Sequence, residues 1–267
     1  MELLQSEVRY PQIQTRNRPS VFEFLQFKRK RRPVVLPDIM AKWGALGWTW
    51  EALRSRYGTT TLAVSRYESG WYKASNVKEM RLDQFLDEML AADWRSFPFY
   101  VRDSWSFFER HPHLLQDCPI PPQFFDWSAK VPGLAWPGPR LFMGPAGAVT
   151  PLHVDIWETH AWLTQVLGRK RWVLLSPEDC KLLESARMPG KGLARYAVDP
   201  GSPEFRERFP DVHPIEWTLG PGETIFVPSG WAHCVKSLDP TLSICSNFIG
   251  PGAWTAAWRA IQSRFHP

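Results

Sequence analysis

Apolar and polar residues are spaced in two different ways along this chain, and the change falls near Arg140. Upstream, apolar residues recur at helical spacing. Ser20 to Phe27 places Val21, Phe24 and Leu25 on one face. Thr49-Trp50-Glu51-Ala52-Leu53 opens a second helix, with Thr49 as its cap and Gly58 ending it, and Leu82 to Ala91 forms a third. Between them Arg32-Pro33-Val34-Val35-Leu36-Pro37, Thr60 to Ser65 and Phe99-Tyr100-Val101 read as short strands. Downstream, β-rich runs alternate with turns: Leu141-Phe142-Met143, Ala161 to Leu167, Arg171 to Leu175, Thr224 to Val227, Cys234 to Ser237 and Leu242 to Phe248. Gly144-Pro145, Gly168-Arg169, Gly220-Pro221-Gly222 and Pro228-Ser229-Gly230 punctuate them. Such a series predicts a mainly β protein, an antiparallel barrel or jelly roll.

The expected organisation is an N-terminal α/β segment over 1–125 packing on the barrel, a jelly-roll core over 126–250 and a C-terminal helix over 251–267. Ser185 to Pro214 reads as a polar insertion on the barrel. In the last segment, Ala253 to Phe265, Trp254, Trp258, Ile261 and Phe265 share one helical face. Two indoles on one stripe need cover, from the same chain or from a second copy. With one short helix available, packing within the chain is expected; monomer and homodimer both stay open.

Composition narrows the function classes. The chain has 267 residues and is 44% hydrophobic, enough for a sizeable core. No apolar run approaches the roughly 18 residues of a membrane span, and Met1 to Gln12 does not read as a secretory leader. Cys118, Cys180, Cys234 and Cys245 are scattered without zinc-knuckle spacing or a disulfide framework, so a reducing cytoplasm is the expected compartment. The net charge of +5 is modest. The basic run Lys28 to Arg32 fits a nuclear signal or nucleic-acid patch, or a solvated loop; no second basic cluster supports the former, so nucleic acid is not an expected partner.

The chemistry concentrates in two motifs. Thr150-Pro151-Leu152-His153-Val154-Asp155 holds an HxD pair, and alternate residues of a strand face one side, so His153 and Asp155 can reach one point. Far downstream, Pro228-Ser229-Gly230-Trp231-Ala232-His233 sets a histidine just after a tight turn. Two histidines and a carboxylate match the facial triad of non-haem Fe(II) oxygenases. Alone, HxD is weak, and His233 alone reads equally as a half-buried structural histidine. A 2-oxoglutarate cosubstrate would also need an inward cation. After the turn at Gly168, Lys170, Trp172 and Leu174 share an apolar face, which buries the Lys170 ammonium unless it meets an anion. Arg169 and Arg171 read as exposed turn cations.

Taken in order, these pieces resemble the Jumonji C (JmjC), cupin-like family of Fe(II)- and 2-oxoglutarate-dependent oxygenases, particularly its small protein-hydroxylase branch. The resemblance runs from about Pro19 to Gly250 and includes Phe142-Met143-Gly144-Pro145, the HxD motif, Gly168-Arg169-Lys170-Arg171-Trp172 and Phe226 to His233. It implies a double-stranded β-helix that uses Fe(II), 2-oxoglutarate and O2, with His153, Asp155 and His233 as metal ligands. It further implies that Lys170 pairs with the distal carboxylate of 2-oxoglutarate. Thr150 and Tyr100 would add hydroxyls there, and Asn247 would lie near the iron-proximal end. Leu163 and Cys245 depart from it: some members carry asparagine and threonine at these positions.

The implied reaction couples oxidative decarboxylation of 2-oxoglutarate, to succinate and CO2, to hydroxylation of a substrate C–H bond. A protein or peptide side chain is the expected substrate. A free small molecule or nucleoside, or an N-methyl-lysine losing formaldehyde, uses the same iron chemistry. A non-catalytic jelly-roll binding module is disfavoured by the triad together with Lys170. Glu158 and His160 read either as lining the substrate mouth or as a solvated turn. His111-Pro112-His113 reads as a surface loop.

Overall fold

The computed structural model describes residues 12–68, 71–130, 138–188 and 194–265. In the N-terminal part, β1 (Gln14–Thr15), helix α1 (Val21–Arg29) and β2 (Val34–Leu36) are followed by α2 (Trp50–Tyr57), β3 (Thr61–Glu68), β4 (Trp71–Arg81), α3 (Leu82–Ala91), β5 (Phe99–Ser104) and α4 (Ser106–Arg110). From Arg140 the strands come in quick succession: β6 (Arg140–Gly144), β7 (Val149–Val154), β8 (His160–Leu167) and β9 (Lys170–Leu175). After helix α5 (Pro177–Leu182) come β10 (Arg187–Met188), β11 (Ala194–Tyr196) and α6 (Pro203–Arg208). Then β12 (Ile215–Leu219), β13 (Thr224–Val227), β14 (Ala232–Ser237) and β15 (Thr241–Phe248) lead to α7 (Trp254–Phe265).

The strands form two sheets. One runs β1-β2-β13-β8-β15-β6-β5-β3-β4 and the other β10-β11-β7-β14-β9-β12. At their centre β6 to β9 and β12 to β15 alternate between the sheets in pairs, the jelly roll expected from the sequence. The N-terminal strands extend the larger sheet at both edges, so its outer face offers a broad floor. Onto that floor pack Phe24 of α1, Leu53 of α2, Phe85, Leu86 and Met89 of α3, and Phe107 and Phe108 of α4, against Trp162, Val166, Phe226, Ile244 and Phe248. Helix starts are fixed locally. Ser20 and Glu23 form a capping box on α1, and the Thr49 hydroxyl accepts from Ala52 N at 3.1 Å.

A second apolar layer covers the outer face of the smaller sheet, where Leu152, Val154, Val173, Leu175, Ala232 and Cys234 meet Cys180, Tyr196, Phe205 and Phe209. The segment read as a polar insertion is therefore in part a cover for this sheet, through Phe205, Phe209 and Val212, all buried. The third apolar group is the barrel interior itself, with Trp172, Leu174, Leu219, Ile225, Val227 and Val235.

The basic run is not a solvated loop. Lys28 lies within α1, is buried and donates to Gln123 O at 3.1 Å, and Arg31 Nε donates to Gly252 O at 3.1 Å. At the other end of the chain, Ala253 and Ala257 are buried, and Trp254 packs with Trp157 against Ile249 and Ala257. Trp258 stacks on Trp254 at 5.8 Å with its own face 42% exposed; the side chains of Ile261 and Phe265 fall outside the described residues. No helix among the described residues is long and apolar enough to cross a membrane.

Candidate metal centre

His153 near the end of β7 and His233 at the start of β14 are cross-strand partners. Paired residues of an antiparallel ladder point to the same face, so both rings enter the barrel, with centroids 4.3 Å apart. Asp155 follows β7 immediately, and one ligand atom from each of the three residues lies within 4.8 Å of the others. Past Asp155 the chain reverses sharply. Trp157 and Glu158 adopt φ of 55° and 49°, a region non-glycine residues rarely enter. Glu158 N donates to Asp155 O at 3.0 Å and Thr159 Oγ1 to Ile156 O at 3.0 Å, which hold the turn.

The protonation pattern suits a cation. Pro151 O can only accept, so the 2.7 Å contact with His153 Nδ1 places the ring proton there and leaves Nε2 bare. That Nε2 lies 3.9 Å from Asp155 Oδ1, too far for a hydrogen bond. Burial, reinforced by the neighbouring His233, lowers the His153 pKa to about 4, so the ring faces the carboxylate as a neutral donor. His233 Nδ1 is buried with no protein partner among the described residues. Trp172 stacks on the His233 ring at 5.5 Å and 27°. Two imidazoles and a carboxylate with open approach form a donor set that fits a divalent metal such as Fe(II).

A β-bulge brings Thr150 to the same face. Regular alternation would turn Thr150 away from His153, three residues on. The register shifts between His233 and Val235, however, so Val235 sits opposite Thr150. Deeper in the barrel, Lys170 pairs with Ser237 on β14 and with Leu219 on β12. Lys170 is buried, and its Nζ donates to Tyr100 Oη at 3.0 Å. Burial lowers the Lys170 pKa to about 7 and pushes the Tyr100 phenol above its ordinary range. The Cys245 thiol acts electrostatically on both groups, which places it by the same recess. Leu163, its partner on β8, packs against the barrel interior.

Asn247 lies two residues beyond Cys245 on β15, and its β8 partner Ala161, like Leu163, packs against the barrel interior, so Asn247 shares the inward face. Asn247 is buried with both ends of its amide engaged: Oδ1 accepts from Arg140 Nη2, and Nδ2 donates to Thr159 Oγ1 at 3.0 Å. Arg169 and Arg171 are surface cations, paired with Asp239 and Glu216 at 2.8 and 2.7 Å. His160 neither lines the mouth nor faces solvent; it is fully buried. Glu158 is exposed and rims a cavity of about 310 Å³ beside Asp155, together with Arg31, Lys181, Glu184 and Gly230. His111 and His113 bond Thr60 and Tyr57, away from the barrel mouth. The Arg140–Asn247 link and the burial of His160 had no local signal, because each rests on a partner distant in sequence.

A jelly roll with a two-histidine, one-carboxylate cluster on the inner face of its smaller sheet defines a cupin-type metal site. The chain belongs to the cupin-like domain family, whose model matches residues 19–250. It is 32% identical over 251 residues to the bifunctional arginine demethylase and lysyl-hydroxylase psr-1 of Caenorhabditis elegans, covering 87% of this chain and 59% of that protein. It is also 32% identical over 246 residues to the lysine-specific demethylase JMJ21 of Arabidopsis thaliana, covering 89% of this chain and 25% of that one. The 2-oxoglutarate and iron-dependent oxygenase JMJD4 of Homo sapiens is 27% identical over 283 residues, with 91% of this chain and 63% of that protein covered. The chain thus spans between a quarter and about three-fifths of these relatives. The JmjC resemblance drawn from the motifs is borne out.

Proposed function

We propose that this protein is an Fe(II)- and 2-oxoglutarate-dependent oxygenase that hydroxylates a side chain of a protein or peptide. One observation carries the reading: His153, Asp155 and His233 converge at one end of a barrel whose interior also holds a buried lysine. A buried ammonium is costly without an anion, and a dicarboxylate reaching inward from the triad supplies one. The names of the relatives, which include lysyl-hydroxylase and lysine- and arginine-directed demethylase, support a protein side chain as substrate.

In this reading His153 Nε2, a ring nitrogen of His233 and the Asp155 carboxylate hold the iron. Bound iron with 2-oxoglutarate supplies the oxidising chemistry, which consumes O2 and releases succinate and CO2. The protein's part is placement. Lys170 binds and orients the distal carboxylate, Tyr100 holds the Lys170 ammonium in line, and Thr150 offers a hydroxyl one step inward from the ligands. Trp172 fixes the plane of the His233 ring and, with Leu174 and Val235, keeps the interior dry. Asn247, braced by Arg140 and Thr159, keeps a second amide hydrogen and a second lone pair to offer near the iron-proximal end.

The test is direct. Protein loaded anaerobically with Fe(II) is given 2-oxoglutarate, O2 and a cell extract. Succinate formation with proteins or peptides heavier by one oxygen is expected, and both should vanish with Asp155→Ala. Formaldehyde release instead would select the demethylase reading that two relatives' names support. Turnover only with small metabolites would overturn the protein-substrate reading.

A further inference from the structure

We propose that His160 is a positioning residue for the metal centre: its Nδ1 fixes the turn from which His233 enters the barrel. The proposal rests on the metal reading above. His160 opens β8, is fully buried and, among the described residues, makes two hydrogen bonds, both to backbone. Ser229 N donates to its Nδ1 at 2.9 Å, and its Nε2 meets Pro251 O at 2.8 Å. An amide nitrogen can only donate and a carbonyl can only accept, so the tautomer is settled: Nδ1 is bare and Nε2 carries the proton. Phe226 and Phe248 pack on the ring with centroids 5.3 and 5.2 Å away.

Ser229 lies at the tip of the turn that leads into β14. Trp231 N donates to Pro228 O at 3.2 Å to close it, and Trp231 Nε1 donates to Arg31 O at 2.8 Å. The buried Ser229 hydroxyl has no partner among the described residues, so the backbone N–H is the handle by which the tip is held. The turn is therefore pinned on one side by His160 and on the other by Arg31, and His233 follows directly. A metal ligand needs its backbone held to about half an ångström, and this seat is set by a residue that touches no ligand.

The two ring nitrogens do separate jobs, and substitutions can separate them. The amide oxygen of asparagine falls near the place of Nδ1, and the amide nitrogen of glutamine near that of Nε2. His160→Asn keeps an acceptor for Ser229, and His160→Gln keeps only the donor to Pro251. Mn(II) affinity is measured by electron paramagnetic resonance on the full chain, with thermal melting of the metal-free proteins and His233→Ala as control. His160→Gln is expected to weaken Mn(II) binding about tenfold, the low end for groups that orient ligands, with His160→Asn within about threefold of the parent. Similar melting losses are expected in both. Equal affinity in the two variants, whether retained or lost, overturns the proposal when His233→Ala has lost its metal. No Mn(II) binding by the parent, or unchanged binding by His233→Ala, overturns the metal reading itself and the proposal with it. Should either variant not fold, amide hydrogen exchange on the native chain decides: metal is expected to slow exchange at Ser229 by about tenfold or more, and no slowing overturns the coupling.

Discussion

Lys170 on β9 donates a 3.0 Å hydrogen bond to the phenol of Tyr100 on β5, so this buried polar contact joins the two sheets. The phenol takes one of the three ammonium hydrogens, and in the proposed reading the others face the distal carboxylate of 2-oxoglutarate. Lys170→Ala is expected to weaken 2-oxoglutarate binding about ten- to a hundredfold, corresponding to roughly 1.5–3 kcal/mol for a charge-assisted bond. Mn(II) affinity should hardly change. Titration calorimetry with the Mn(II)-loaded protein checks both, and undiminished 2-oxoglutarate binding would move the cation assignment to another residue.

The lowered pKa of Lys170 gives a pH dependence with a definite sign. The folded, cosubstrate-free protein releases this proton near pH 7, whereas an unfolded chain keeps it to about 10.5. Between those values the unfolded state binds more protons, so stability rises with pH across that window and the cost of burying the charge is fully present below it. A dianion beside Lys170 reverses the preference. Binding of 2-oxoglutarate is therefore expected to strengthen as pH falls from about 8.5 toward 7 and to take up a proton. Calorimetry in buffers of different ionisation enthalpy measures that uptake; its absence, with a pH-independent affinity, would show the ammonium already charged.

Gly144 ends β6 directly under Tyr100, where a Cβ would collide with the ring carbon Cδ2. An alanine there has to displace the ring, since the tyrosine is buried and cannot yield to solvent. Gly144→Ala is expected to lower unfolding stability by about 1–3 kcal/mol, as overpacking does, and to weaken 2-oxoglutarate binding by loosening Tyr100 from Lys170. Urea denaturation and cosubstrate titration read the two effects. Full stability with normal binding would mean that the backbone shifts to make room.

Helix α7 packs on the turn that follows Asp155, through Trp254 and Ala257 against Trp157 and Ile249. A chain ending at Gly252 should lose about 2 kcal/mol from the apolar surface uncovered, with no change in oligomeric state. Differential scanning calorimetry and light scattering test this. A dimer that becomes an active monomer on truncation would show that the exposed Trp258 face serves a second subunit instead.

What was legible in the amino-acid order was local. Helix α3, the capped start of α2 and most barrel strands follow from spacing and turn residues, since period and punctuation act over a few positions. Strand β4 was not legible, because Trp71–Arg81 shows no apolar alternation and is held by backbone pairing to β3. The HxD motif, the downstream histidine and the inward face of Lys170, Trp172 and Leu174 were visible as residue types at chemical spacing.

Only the tertiary structure decided how those residues meet. Which strand faces which is set by hydrogen bonding between segments far apart in sequence. The His153–His233 pairing and the bulge that turns Thr150 inward are therefore properties of the sheet and not of either segment. Burial is equally non-local. Lys28 and His160 look like surface residues by type and by neighbours, yet one is capped by Gln123 O and the other by Pro251 O and Ser229 N. A polar side chain is buried where the fold brings it a partner, and that partner is named only when the chain has closed on itself.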